Sequence, residues 1–372
     1  KVTGDRIESF YGNGAGADGN ITDAADDIII NGNSLSKTID VTAADSAKNV
    51  AANINAVTGE TGVTATAKSY AHYYSTWVAD QTASVKINNV TTGEFVISSS
   101  NVLDAVDKIN AISGSTGVTA SATSDYKVLL YSSDGRDLLV ENEKSILGQR
   151  VKAVSHDGTS VATVAGVAGV KESAAATATD SSSVTQYLRN MQTGESVTLA
   201  YTAGNSTANT LTAINNALDA LGGKWAAGGD WHITATTTNS SKVTFTGTAA
   251  LGDFQLYSNS GLTTSVFETT SDTLGNLDTT SVSLLAAGTT ALEGATGGDS
   301  ATVQGSISLS SSKLFSVTQS GTEVTPNDNY FTTGAAALST VSNVDLRTQT
   351  TASNAISVLD GAIEKISSMR AD

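Results

Sequence analysis

The sequence predicts a β-dominant α+β fold. It is built from repeated units of strand hairpin, helix and strand, and ends in one amphipathic helix. Three observations predict this. Ile54 to Ala67 (INAVTGETGVTATA) and Ile109 to Ala122 (INAISGSTGVTASA) agree at ten of fourteen positions. Ala352, Ile356, Leu359, Ile363 and Ile366 fall at spacings of four, three, four and three, a heptad seam that keeps one apolar stripe towards a partner helix. Aromatic residues make up only 5% and charged residues 15% of the 372, with Ala, Ser, Thr, Gly and Asn filling the rest, a composition typical of extended, strand-rich surface proteins.

The first unit begins at Ile28 to Gly32 (IIING), where Asn31-Gly32 is a hairpin signal. Thr42 or Asp45 is expected to cap the helix that follows, because a side-chain oxygen there can accept from the free amides of the first turn. Val50, Ile54 and Val57 form its buried face. Gly59 and Gly62 end the helix, and Val63 starts an alternating strand. The second unit repeats the plan. Val85 to Asn89 (VKINN) parallels IIING, and Val102, Val106 and Ile109 form the helix face. Strands Lys127 to Tyr131 and Asp137 to Glu141 follow, joined through Asp134-Gly135.

A degenerate third copy has a strand at Ser196 to Tyr201 and a helix at Thr210 to Leu221 with Leu211, Ile214, Leu218 and Leu221 on one face. Ile233 to Thr236 echoes Val63 to Thr66, and an insertion at Gly222 to Asp230 brings in Trp225 and Trp231. Val151 to Ser183 reads as two weak strands and a linker, and Thr269 to Gly305 as loops with short strands. Strands at Ser306 to Leu309 and Leu314 to Thr318 return the chain towards the terminal helix, which Thr350, Thr351 or Ser353 is expected to cap.

Composition excludes several function classes. A net charge of −16 opposes nucleic acid and anionic membrane surfaces, which both demand clustered Lys and Arg. No apolar run approaches the roughly 20 residues needed to span a bilayer, so no membrane insertion is expected. With no cysteine and a single proline, neither a disulfide nor slow prolyl isomerisation hinders a chain exported unfolded.

Candidate chemistry is sparse. Gly14 to Gly19 satisfies G-x-G-x-x-G but does not sit between a buried strand and a helix, so it reads as a loop. Asp18, Asn20 and Asp23, with Asp26 and Asp27, gather hard oxygen ligands, but the spacing lacks the glycine and glutamate of a calcium loop. A solvated acidic turn is the first reading and a cation site the second. His72, His156 and His232 are scattered and have no cysteine partners, and no G-x-S-x-G elbow is present. No enzyme and no cofactor are expected. Tyr70, Tyr73, Tyr74 and Trp77, with Trp225 and Trp231, read first as packed aromatic ladders and second as stacking surfaces for sugar rings.

Ser357 to Asp372 (SVLDGAIEKISSMRAD) resembles the carboxy-terminal signature of bacterial flagellins, and the repeated unit resembles the "IN" motif of flagellin outer domains and hook proteins. The resemblance implies outer domains inserted into the remnant of an α-helical coiled-coil core. Residues 1–21 with 336–372 would then belong to that core and 22–150 to an outer domain with two repeats. Residues 151–190 would be connecting strands, 191–268 the third repeat and 269–335 the return segment. It implies a trimmed, secreted structural protomer of the flagellar filament, a helical homopolymer at the cell surface, with the seam packing on helices of flagellin protomers. Alternatives are a flagellin-like surface protein that binds polysaccharide or a host receptor, and a hook or hook–filament junction protein.

Overall fold

A computed structural model describes residues 2–4, 9–12, 22, 26–144, 146–159, 161, 166–174, 177–239, 242–267, 281–284, 297–319, 330–331, 334–335 and 346, and in the terminal helix 355, 356, 358, 359, 361–363, 366, 367 and 370. It is β-dominant α+β, with 39% strand and 20% helix.

The chain opens with β1 (Val2–Gly4) and β2 (Ser9–Gly12), then the hairpin β3 (Ile28–Gly32) and β4 (Leu35–Ile39). Helix α1 (Ala47–Ala56) runs into the one-turn α2 (Thr58–Thr61), and the long β5 (Thr64–Ser75) follows. The hairpin turn lies at Asn33-Ser34, whose φ values of 51° and 65° are those of a type I′ turn, and not at Asn31-Gly32. That register sets Ile28 opposite Ile39 and keeps both on the buried face. Gly32 is needed for a different reason. A Cβ there would lie 2.4 Å from the carbonyl oxygen of Thr61, so only glycine lets α2 close on the strand. The helix cap also differs from expectation. Ser46 accepts from the amide of Asn49, while Asp45, one residue earlier, ties back to the amide and hydroxyl of Thr42.

The second unit comprises β6 (Gln81–Ala83), β7 (Val85–Ile87), β8 (Val90–Thr91), β9 (Phe95–Ile97), α3 (Leu103–Ala111), α4 (Ser113–Thr116), β10 (Thr119–Ala122), β11 (Val128–Ser132), β12 (Leu138–Asn142) and β13 (Gln149–Val154). Its hairpin turns at Asn88-Asn89, again with two positive φ values. Strands β11 and β12 leave for different sheets and do not form a hairpin around Asp134-Gly135. The third unit has β14 (Val170–Glu172), β15 (Ser183–Asn190), β16 (Ser196–Thr202), α5 (Thr207–Asp219), β17 (Thr234–Asn239), β18 (Lys242–Thr246) and β19 (Phe254–Tyr257). The return path holds β20 (Ser281–Leu284), β21 (Gly297–Gly298), β22 (Ser300–Val303), β23 (Ser306–Ser310), β24 (Phe315–Gln319) and β25 (Gly334–Ala335).

Returning strands pair with outgoing ones. Strand β24 pairs with β3, β23 with both β5 and β1, and β22 with both β12 and β2. Residues 2–4 and 9–12, expected with the helical core, are therefore sheet edges held by the return path. Strand β13, which reaches into the stretch from Val151 that reads as weak strands, is buried along its whole length.

Three hydrophobic cores form among the described residues. The first packs Val50 and Ile54 of α1 against Ile28, Ile30, Ile307 and Val317. The second gathers Tyr73, Ile87, Phe95, Ile109, Leu130 and Val151. The third gathers Ile214, Leu218, Trp225, Trp231, Phe245 and Phe254. Each buried aliphatic side chain contributes roughly 1.5–3 kcal/mol, which makes these cores the main support of a chain with no disulfide. Strand β5 belongs to two cores, with Ala65 and Ala67 in the first and Ala71 and Tyr73 in the second.

Candidate functional site

Each repeat centres on an asparagine near the end of its helix. The Asn55 side-chain amide donates to the Ala65 carbonyl at 2.8 Å, and the Ala65 amide donates to Asn55 Oδ1 at 2.8 Å. Asn110 makes the same pair of bonds with Ala120, at 2.9 and 2.8 Å. Asn215 makes them with Ala235, at 2.9 and 2.9 Å. The preceding isoleucine, Ile54, Ile109 or Ile214, is buried in the core of its unit. The dipeptide thus has two tasks. Isoleucine anchors the helix to a core, and asparagine clamps it to the next strand through both polar groups of one residue, as a neighbouring strand would. In the first two units ten residues separate the clamp partners, and in the third twenty. The clamp is unchanged by the insertion that carries Trp225 and Trp231.

A second recurrent feature sits below the clamp. Thr61 and Thr116 are buried, and each hydroxyl accepts from the amide two residues on while donating to a helix carbonyl. Gly62 and Gly117 follow with φ of 68° and 69°, the left-handed residue that turns each short helix into a strand.

The first two units are latched together. Asp134 receives Lys48 Nζ at 2.9 Å from α1 and Arg136 at 2.6 Å from its own loop, while Arg136 also donates to the Thr116 carbonyl. These donors, Arg136 first, hold the Asp134 carboxyl well below the usual carboxylate range. The second and third units meet at Trp77. Arg189 lies over its ring at 4.7 Å, and the Val78 amide donates to Thr193. Arg150, 1% exposed, donates to Gln192 Oε1 at 2.6 Å.

The aromatic candidates divide. Tyr73, Trp77, Trp225 and Trp231 are buried, and Trp225 and Trp231 stack edge to face at 5.4 Å inside the third core. These four therefore offer no face to a sugar ring. Tyr70 and Tyr74 stay half-buried. Tyr70 stacks on Tyr131 at 4.7 Å, and burial pushes its hydroxyl up to about 12. Lys127 lies over Tyr74. Between them His72 is buried opposite Lys152, with no hydrogen-bond partner for its Nδ1 among the described residues. Burial, and then Lys127, lower its pKa to about 4.

Asp18, Asn20 and Asp23 lie outside the described residues, as do Ala352 and the expected caps Thr350, Thr351 and Ser353. Asp27 accepts from the Val41 amide. No metal-binding group of three acidic or histidine side chains occurs among the described residues. None of their helices is long and apolar enough to cross a membrane.

The described residues from 355 to 370 are helical. Ala355 is buried, whereas Ile356, Leu359, Ile363 and Ile366 are 61%, 42%, 61% and 54% exposed. The whole described seam faces outward. A stripe of four aliphatic side chains in water is a liability unless another surface covers it.

Comparison with known proteins adds one family match. The model of the flagellin hook IN motif matches residues 27–71, from β3 through most of β5, with Ile54-Asn55 inside it. No curated protein matches the chain. Among solved structures, the flagellar cap protein FliD from Helicobacter pylori aligns over 74% of this chain and 83% of its own, at 14% identity. Its TM-score of 0.17 is too low for that likeness to carry an argument. Residues 27–71, with the Asn55 clamp in place, are thus similar to the flagellin hook IN motif.

Proposed function

We propose that the chain is a structural protomer of the bacterial flagellar filament and works by assembly, with no reaction of its own. The observation that carries this reading is the outward seam of Ile356, Leu359, Ile363 and Ile366, in a chain whose residues 27–71 match the flagellin hook IN motif. In this reading residues 336–372 contribute to a helical core outside the cell, and the seam packs on helices of the same or neighbouring protomers in a helical array that does not close. Burying the four aliphatic side chains would contribute roughly 1.5–3 kcal/mol each. Residues 22 to about 333 form an insertion displayed on the filament surface. The pairing of outgoing β3 and β5 with returning β24 and β23 supports an excursion that leaves and re-enters at one place.

Replacing Ile356 and Ile363 together with Asp in the bacterium that makes this chain tests the reading. Secreted, folded protein without filaments is the expected result, and normal filaments in electron micrographs would refute the seam. The motif's name also covers hooks, so a hook or hook–filament junction protein is the rival reading. Immunogold label along the whole filament supports the protomer, and label confined to the filament base supports the rival.

A further inference from the structure

We propose that the asparagine of each repeat guards a sheet edge: it fills the outward hydrogen-bonding slot of one strand and so keeps a second copy of this chain from adding a strand there. The case rests on the three clamps and does not depend on the filament reading.

The clamped residue has the same surroundings in each unit. Ala65 is paired across the sheet with Leu309, Ala120 with Leu130 and Ala235 with Phe245. Along a strand the amides and carbonyls of successive residues point alternately to the two sides. The amide and carbonyl that the asparagine takes are therefore the outward pair, on the side away from that partner strand. In the second and third units this side is a true edge, since β10 and β17 each pair with one strand among the described residues. An exposed edge of this kind is a template for another chain. The hazard is greatest at β10, whose residues Thr119, Ser121 and Ala122 are exposed and where no charged side chain interrupts the strand.

Two features show that the asparagine, and not merely the packed helix, does this. A helix lying beside a strand has no free backbone donors of its own in its interior, so it cannot satisfy Ala120. The side-chain amide presents one donor and one acceptor side by side, the same pair that an added strand would bring. The bonds also persist in the third unit, where the connecting loop is twice as long, so the helix-to-strand spacing in sequence does not impose them.

Asn110→Ala in the whole chain is the test, made in a background of Ile356→Asp and Ile363→Asp so that the seam itself does not associate, and read by hydrogen exchange at the Ala120 amide and by sedimentation. The expected result is Ala120 exchange faster on the order of tenfold, with association that rises with concentration and is absent in the same background with Asn110 intact. Ala120→Pro added to Asn110→Ala removes the outward N–H, which an edge strand tolerates, and should restore the monomer. Should Asn110→Ala fail to fold, Asn110→Asp serves instead, since it keeps the acceptor and loses only the donor. A folded variant that remains monomeric, or association that survives Ala120→Pro, overturns the proposal.

Discussion

His72 makes the stability of the second unit fall with acid in a calculable way. The ring is buried between β11 and β13, opposite Leu129 and Lys152, and its Nδ1 has no partner among the described residues. Burial acts first and Lys127 second, with Lys152 adding to them and Asp125 opposing, so its pKa falls from 6.5 to about 4. Between those values the unfolded chain binds a proton that the folded chain refuses. Stability from this group is therefore complete above pH 6.5 and is lost as pH falls towards 4. For two such values, moving from pH 7 to pH 5 removes about 2 kcal/mol. Urea-dependent hydrogen exchange of β5 and β13 peptides, at both pH values, in wild type and in His72→Gln, isolates the group because glutamine does not titrate. The wild type should lose about 2 kcal/mol more than the variant on acidification. Equal losses would show that His72 is hydrated or partnered, and the reasoning from burial would fail.

Gly32→Ala should destabilise the first unit by about 1–3 kcal/mol, because the new Cβ meets a backbone oxygen that cannot swing aside; a thermal melt with unchanged midpoint would refute this. Trp77→Ala removes the indole that Arg189 covers and should cost about 3–5 kcal/mol locally. It should also loosen the joint between the second and third units, broadening the small-angle scattering profile. A wild-type profile from the folded variant would show that Arg150 and Gln192 hold the joint alone.

Much of the fold was legible because periodicity survives duplication. Val50, Ile54, Ile109, Ile214 and Leu218 all lie where helical spacing placed them. What the sequence could not show was contact between distant segments. Asn31-Gly32 is a strong turn signal, yet the position of Ile39 across the hairpin and the approach of Thr61 moved the turn two residues along. Val151 to Ser183 reads as weak strands and a linker because nothing near it in sequence announces that the neighbouring Arg150 meets Gln192. The clamps were visible in part. Ile-Asn recurs in all three copies, and an alanine follows each asparagine at ten, ten and twenty residues, but only geometry shows that the two ends meet. Which of the aromatic residues are covered was not legible, because clustering in sequence says nothing about which side of a strand is packed.

Strand β5 gives the first two repeats a shared fate. In sequence they are two copies of one module, and a module can usually be deleted or duplicated whole. Here twelve continuous residues supply structure to both cores, so neither copy has a boundary that can be cut cleanly. Removing the second repeat would strip β11 and β13 from half of that strand and bare its edges beside an intact first core. Variation in such a protein is therefore channelled away from the number of repeats and into the loops that the asparagine clamps close, where the third unit already holds ten extra residues.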